Sequence, residues 1–367
     1  MNPTGDADRA TRRAQVVEAL ADAVGTVDRA PPIQVAVDGL IGSAANALAD
    51  DLGGVLTARG RRCRRASLDV VGLLDPRVPR PGRPAHRAGR GDDLMIVDGR
   101  FLQHPEPMGA WDLVIFVRES ADTGAAARYL AEVDPEGTAD IVVDLSDPTW
   151  PVIRRIDPAI ADRLGRDLHP GETRAFFAPR AATWDQRFPD DDPAYAAAVA
   201  EVGLRPGQTA LDVGCGTGRA LPHLRAAVGP SGHVLGVDLT PEMLATARSR
   251  GRHTHALLVL ADARRLPLRT GSVDAGFAAG LLPHLPDPGR GLAELARVIR
   301  PSGRLALFHP SGRAALAARQ GRRLHEDDLL APAPLRRLLE QSGWRLDRYD
   351  DGPSRFLAIA ERVSPRT

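Results

Sequence analysis

Lysine is absent from the 367-residue chain, so every one of its 48 fixed side-chain cations is an arginine. That excludes any chemistry needing a lysine amine, whether a Schiff base or the phosphate-binding lysine of a working P-loop. Two cysteines, Cys63 and Cys215, give no disulfide framework. Aromatic residues make up only 4% of the chain, leaving alanine, leucine and valine to fill its cores. No apolar run approaches the length of a bilayer span. The opening M-N-P-T-G-D-A-D-R-A has no apolar stretch of the secretory type, so a soluble, cytoplasmic protein is expected. Net charge is +1, giving no overall field toward nucleic acid or a membrane surface. What is present suffices for ordinary cores: 43% apolar residues over a length that favours two domains.

The first half alternates strand and helix patterns. Apolar positions at helical spacing (Ala14, Val17, Leu20, Ala21, Val24) predict a helix over Ala10 to Val24. Buried-type strands follow at Ile33 to Val37, Arg64 to Leu68, Leu94 to Val97, Leu113 to Val117 and Ile141 to Val143. Helices are expected from the D-G-L-I-G-S-A-A-N stretch to about Arg59, and from about Thr123 to Val133. Such alternation implies a parallel sheet covered on both faces. Pro76 to Gly91, rich in Pro, Gly and Arg, reads as a mobile loop. Asp157 to His169 reads as a linker helix punctuated by Pro170-Gly171. The expected domains are therefore residues 1–165 and 166–367.

The second half is organised around A-L-D-V-G-C-G-T-G-R-A, Ala210 to Ala220. An apolar strand runs into three glycines at alternate positions, Gly214, Gly216 and Gly218, and a helix pattern begins at once. Glycine permits the positive φ of a sharp turn and keeps Cβ atoms away from an approaching ligand. A strand, a glycine turn and a helix start make the nucleotide-binding corner of an open α/β sheet. The dinucleotide spacing G-x-G-x-x-G fails here, because Arg219 or Leu221 falls where the third small residue belongs. The frame that fits is D-x-G-x-G-x-G, led by Asp212. A second strand pattern, His233 to Val237, ends in Asp238, where such folds place a ribose-binding acid.

On these residues the second half, about 172 to 363, resembles the class I S-adenosylmethionine-dependent methyltransferases. The resemblance implies S-adenosyl-L-methionine as cofactor, with Asp212, Gly214, Cys215, Gly216 and Gly218 in the turn around it. Asp238 in V-L-G-V-D-L-T would hold the ribose hydroxyls, and Leu239 and Met243 would flank the adenine. Asp262 and Ala263, in A-D-A-R-R-L-P-L, match the family's adenine-binding position. Gly280 and Leu281, in G-F-A-A-G-L-L-P-H-L-P-D-P, would lie beside the methionine end. The helix, Pro-Ser-Gly turn and strand of L-A-E-L-A-R-V-I-R-P-S-G-R-L-A-L-F, and the closing W-R-L-D-R-Y and R-F-L-A-I-A-E-R, resemble the last strand and hairpin of that sheet. The lead-in R-A-F-F-A-P-R-A-A-T-W-D-Q-R-F is similar to the helix that lies over the cofactor, with Phe176, Phe177 and Trp184 toward substrate or core. His284 and His309 are the candidate bases for an O, N or C acceptor, and His325 a weaker substrate-side candidate. The N/D-P-P-Y/F tetrapeptide of amino-methylating nucleic-acid enzymes is absent, and no metal-ligand spacing is evident.

The first half resembles the uridine kinase-like P-loop family through V-A-V-D-G at Val35, A-S-L-D at Ala66, I-V-D-G-R-F-L-Q-H-P-E at Ile96, W-D-L-V-I-F-V at Trp111 and V-V-D-L-S-D-P at Val142. Yet the G-x-x-x-x-G-K-[ST] frame, started at Gly39, ends in Ala44, Ala45 and Asn46, so the lysine and the magnesium-binding hydroxyl are both missing. The expectation is an α/β protein of two doubly wound domains: an inactive P-loop kinase-like parallel sheet, then a methyltransferase Rossmann-like sheet ending in an antiparallel hairpin. The partner is a small-molecule acceptor, with neither nucleic acid nor membrane, and the first domain serves packing, shaping of the active site or a homodimer contact. The alternatives are an active nucleoside or metabolite kinase and a non-enzymatic cofactor-binding scaffold.

Overall fold

The computed structural model describes residues 3–69, 93–104, 111–119, 124–165, 167–187, 189–319 and 323–363. They fall into two compact units, one built on Met1–Asp167 and the other on Leu168–Gln320 with Leu324–Thr367. The Pro76 to Gly91 stretch lies outside the described residues.

Among its described residues the first unit holds six strands: β1 (Ile33–Gly39), β2 (Cys63–Asp69), β3 (Leu94–Arg100), β4 (Leu113–Arg118), β5 (Ile141–Asp144) and β6 (Val152–Ile156). Their order across the sheet is β2-β3-β1-β4-β5-β6. Every neighbouring pair is parallel except β5 and β6, which run antiparallel. A wholly parallel sheet is thus corrected at one edge. The sixth strand is five residues of V-I-R-R-I between two prolines, too short and too arginine-rich to show a strand pattern. The loop after β1 leads into the helix Gly42–Ala58. There the Ile41 N–H donates to Glu119 Oε1 at 2.5 Å, and the Leu40 N–H bonds the same carboxylate. Burial, opposed by those two amides, raises the Glu119 pKa. Asn46, in the first turn and a half of that helix, donates to Asp98 Oδ2 at 3.1 Å. The buried Asp98 also takes Ser67 Oγ at 3.0 Å and the Arg65 guanidinium.

Asp157 to His169 is not one helix: it holds the short helix Pro158–Leu164 and, at its end, the first residue of a second, His169–Phe177. Asp157 caps the helix Pro158–Leu164 by accepting the Ala159 N–H at 2.8 Å, and Gly165 ends it in the left-handed region, φ 64°. Pro170-Gly171 does not mark a break. It lies in the first turn of the helix His169–Phe177, where a proline's missing N–H costs nothing.

The second unit holds β7 (Thr209–Val213), β8 (His233–Asp238), β9 (Leu257–Leu260), β10 (Val273–Ala279), β11 (Ile299–His309), β12 (Trp344–Gly352) and β13 (Arg355–Arg362). Their order is β12-β13-β11-β10-β7-β8-β9, with β13 antiparallel to both its neighbours. The period of two along each strand divides the apolar residues between two cores, one on each face. Leu211, Val213, Leu305 and Leu307 belong to one, together with Trp344 from β12. Ala210, Phe277, Ala306 and Phe308 belong to the other. Chain order reverses between β7 and β10, which makes their carboxyl ends a topological switch point, the place where open α/β sheets take ligands.

Trp344 is 1% exposed, and its Nε1–H donates to the Leu292 carbonyl at 2.9 Å, tying β12 to the helix Pro288–Val298. Trp344→Ala removes that bond and leaves a cavity. We expect a loss of about 3–5 kcal/mol in the second unit's stability, read by urea unfolding.

Candidate cofactor corner and active site

The glycine turn after β7 has the backbone its sequence requires. Gly214, Gly216 and Gly218 have φ of 69°, 54° and 81°. A Cβ on Gly214 would sit 3.0 Å from Leu281 Cδ1, and one on Gly218 would sit 2.8 Å from Leu221 Cδ1. Strain and crowding therefore both select glycine at these two positions. The Gly214 and Cys215 N–H groups donate to the Val237 carbonyl at 2.8 and 2.9 Å, which pins the turn onto the end of β8.

That turn faces two acids. Asp238 Oδ2 accepts the Gly216 N–H at 2.8 Å, and Oδ1 accepts the Thr240 N–H at 2.7 Å. Each ionised oxygen keeps capacity for a further donor, as a ribose hydroxyl would need. Asp212 is 2% exposed, and its Oδ1 has no hydrogen-bond partner among the described residues. Burial first, and the Asp238 charge second, push the Asp212 pKa up to about 8. Burial also raises Asp238, against the pull of the amides it accepts from. Burial and then the two neighbouring acids raise the Cys215 thiol well above its ordinary value, so it stays protonated and is no nucleophile.

Around this corner stand the other residues singled out in the sequence. Met243 is buried, with its Sδ 3.9 Å from where a Gly216 Cβ would be, so it lies against the glycine turn. Leu239 is half-buried, and its carbonyl accepts Arg174 Nε at 2.9 Å. Ala263 is buried next to Asp262. Asp262 is already engaged: the Arg264 guanidinium reaches its Oδ2 at 2.6 Å and the Arg264 N–H its Oδ1 at 2.8 Å. Desolvation would raise the Asp262 pKa, but Arg264 outweighs it and the net shift is downward. Gly280, with φ 66°, donates to the Phe308 carbonyl at 2.8 Å and faces the His309 ring.

The four residues Phe176, Phe177, Trp184 and His284 come together. Phe177 is the centre: its ring centroid is 4.9 Å from Phe176, 5.6 Å from Trp184 and 5.1 Å from His284, each edge to face. All four side chains are half-buried, and Arg180 lies 4.0 Å over the Phe176 ring. His309 stands apart from this cluster at the end of β11, with Nδ1 at 3.0–3.1 Å from the Ser311 backbone. Desolvation holds its pKa below the ordinary histidine value, which favours the neutral, proton-accepting form. His325 belongs to a different network: its carbonyl accepts Arg313 Nη2 at 3.1 Å and its N–H donates to Asp328 Oδ2 at 3.3 Å.

Sequence reasoning missed three members. Thr217 hides between two of the motif glycines, and its hydroxyl donates to Asp185 Oδ1 at 2.5 Å. Arg252 donates to the Thr217 carbonyl at 2.6 Å and forms an ion pair with Asp185 Oδ2 at 2.9 Å that lacks hydrogen-bond geometry. No sequence spacing marks Asp185 or Arg252; only the fold brings them to the turn.

The buried acid sets a pH dependence for the unliganded protein. Between about pH 4 and pH 8 native Asp212 keeps a proton that the unfolded chain has released, so the native state binds more protons and stability falls as pH rises. We expect chemical denaturation of wild type at pH 5 and pH 8 to show this fall, and Asp212→Asn to flatten it.

Residues 211–307 match the family model described as a methyltransferase domain. An uncharacterized 37.1 kDa transposon protein of Streptomyces fradiae is 47% identical over 107 residues, 29% of this chain and 31% of that protein. The O-methyltransferase cnsE of Penicillium expansum is 33% identical over 178 residues, 45% of this chain and 61% of that protein. The chain thus spans about a third to three fifths of the length of these curated relatives. Among solved structures, a SAM-dependent methyltransferase from Aquifex aeolicus is 26% identical, covering 53% of this chain and 98% of its own, with a TM-score of 0.40. The D-x-G-x-G-x-G turn, the acid closing the second strand of its sheet and the family match lead to one conclusion: the second unit contains a class I S-adenosylmethionine-dependent methyltransferase domain.

Proposed function

We propose that the chain transfers a methyl group from S-adenosylmethionine to an O, N or C nucleophile of a small molecule in the cytoplasm. The observation that carries this is the meeting of a positive-φ glycine turn with the Asp238 carboxylate at the switch point of the sheet. The unpartnered Asp212 Oδ1 and the open space beside Gly216, where a Cβ would meet only Met243 Sδ at 3.9 Å, are the features that fit a bound cofactor. The cofactor, when bound, supplies a methyl already activated on a sulfonium.

The protein's own residues bind and orient. Asp238 grips the ribose, charge-assisted bonds of this type being about twice as strong as neutral ones. Asp212, Gly214, Cys215, Gly216 and Gly218 form the wall beside it, and Leu239 and Met243 flank the base. Asp262 and Ala263 close the adenine side, with Arg264 holding Asp262 in its ionised form. Gly280 and Leu281 line the methionine side, where Leu281 touches the Gly214 position. The acceptor lies against Phe176, Phe177 and Trp184, with His284 as the base that takes its proton. His309 is the second candidate, favoured by its lowered pKa and its place beside Gly280. His325 borders the acceptor side at most. Orientation of acceptor and donor supplies most of the rate, since a near-attack geometry is worth roughly 7–11 kcal/mol. A relative named as an O-methyltransferase supports oxygen among the acceptor atoms.

The first unit we read as a kinase-like P-loop fold without phosphoryl-transfer activity, serving as structure or as a contact between two copies. Its strand order, the loop after β1 and the Asn46–Asp98 contact support the likeness. Ala45 in place of the lysine and Glu119 against the loop amides support the loss of activity. We expect the full chain to show no ATP turnover with nucleoside acceptors.

Calorimetry with S-adenosylhomocysteine tests the reading: wild type should bind, and Asp238→Ala should lose at least tenfold in affinity. No heat with wild type, for product or donor, would refute it. With an acceptor in hand, we expect His284→Ala to lower turnover about 10²–10⁴-fold while leaving cofactor affinity intact. If His309 is the base instead, its replacement carries that loss, and the wild-type rate rises with pH through an inflection below the ordinary histidine value.

A further inference from the structure

The segment from Leu168 to Arg187 is fastened at two points to the corner that holds the cofactor in the reading above. At one end Arg174 Nε donates to the Leu239 carbonyl at 2.9 Å, one residue past Asp238. At the other end Asp185 Oδ1 accepts the Thr217 hydroxyl at 2.5 Å, inside the glycine turn itself. The second Asp185 oxygen faces Arg252 at 2.9 Å and Arg250 at 3.3 Å, both from the chain that follows the helix Pro241–Ser249. Arg252 closes the loop by donating to the Thr217 carbonyl at 2.6 Å. Thr217 is 1% exposed and the Asp185 side chain 12% exposed, so these bonds are shielded from water. Between the two fastenings lie Phe176 and Phe177, which meet His284, and Trp184, which meets Phe177.

We propose that Asp185 is a positioning residue that couples occupancy of the cofactor corner to the order of the acceptor side. It touches neither reacting group. It joins Thr217, whose neighbours Gly216 and Gly218 shape the turn, to Trp184, its own neighbour in the ring cluster around His284. A shift of the turn on cofactor binding is thereby passed to the rings through one carboxylate instead of being lost in a loose segment. The latch also states an order of events: the ring cluster takes its final arrangement once the turn is filled. This inference rests on the methyltransferase reading, and the experiment separates the failure of each.

Trp184 is one of four tryptophans, the others being Trp111, Trp150 and Trp344. The difference in emission between wild type and Trp184→Phe therefore isolates its signal. S-adenosylhomocysteine is titrated into the full chain while heat and emission are both recorded. In wild type we expect binding together with a change in Trp184 emission. In Asp185→Ala we expect affinity weaker by about tenfold, as for a lost hydrogen bond to a charged group, and no Trp184 response even at saturation. Thr217→Val, which deletes only the hydroxyl, should show the same uncoupling and decides the matter if Asp185→Ala does not fold. Asp185→Asn, which keeps an oxygen for the Thr217 hydroxyl, should restore part of the response. A salt bridge that only held the fold together would lower the melting temperature and leave the Trp184 response at saturation unchanged; that result overturns the proposal. An absence of heat with wild type would instead defeat the methyltransferase reading itself.

Discussion

Two carboxylates share one dry corner, and the rest of the second unit is arranged around that fact. Asp212 and Asp238 end up near each other because β7 and β8 are adjacent, parallel and in register, Asp212 opposite Gly236 and Val213 opposite Val237. A buried carboxylate is costly unless donors meet it. Asp238 is met by the Gly216 and Thr240 amides, whereas among the described residues nothing meets Asp212 Oδ1. The positive φ values of the turn have a cause in this arrangement, since they aim the Gly216 N–H at Asp238. Motif glycines and the distant acid form one electrostatic unit written in two places in the sequence. Burial and the Asp238 charge keep a proton on Asp212 at neutral pH, and a ligand bringing a positive group to the corner would favour its ionised form.

Much of this was legible in the residues alone because it depends on local rules. Strands β7, β8, β10 and β11 announce themselves by apolar runs, and the hairpin of β12 and β13 by its two flanking patterns. Glycine at alternate positions is costly anywhere except in a turn that needs positive φ, so Gly214, Gly216 and Gly218 were readable as a group. The ring cluster was half legible: Phe176, Phe177, Trp184 and His284 were each singled out, but nothing in their spacing places His284 against the other three. That meeting is made by the sheet, which returns the chain to the same edge after β10.

What stayed hidden depends on partners far away in sequence. Asp185 is a single acid in a polar stretch, and only Thr217 and Arg252, 32 and 67 residues on, give it meaning. The Arg264 contact to Asp262 was equally hidden, because a two-residue spacing on an irregular segment carries no facing rule of the kind helices and strands provide. The antiparallel β6 was hidden by its brevity, and the break at Gly165 by a helix pattern that continued on its far side.

The carboxylate of Glu119 in the first unit carries a consequence of its own. It hangs from the end of β4, the strand beside β1, so it is delivered to the Leu40 and Ile41 amides by the sheet itself. A tethered ligand competes at an effective concentration set by its attachment, and a rigid attachment of matched length sets it high. A free anion from solution would have to outbid a resident that cannot diffuse away. Those two amides are thereby provided for from within the chain, whatever anions the surrounding solution holds.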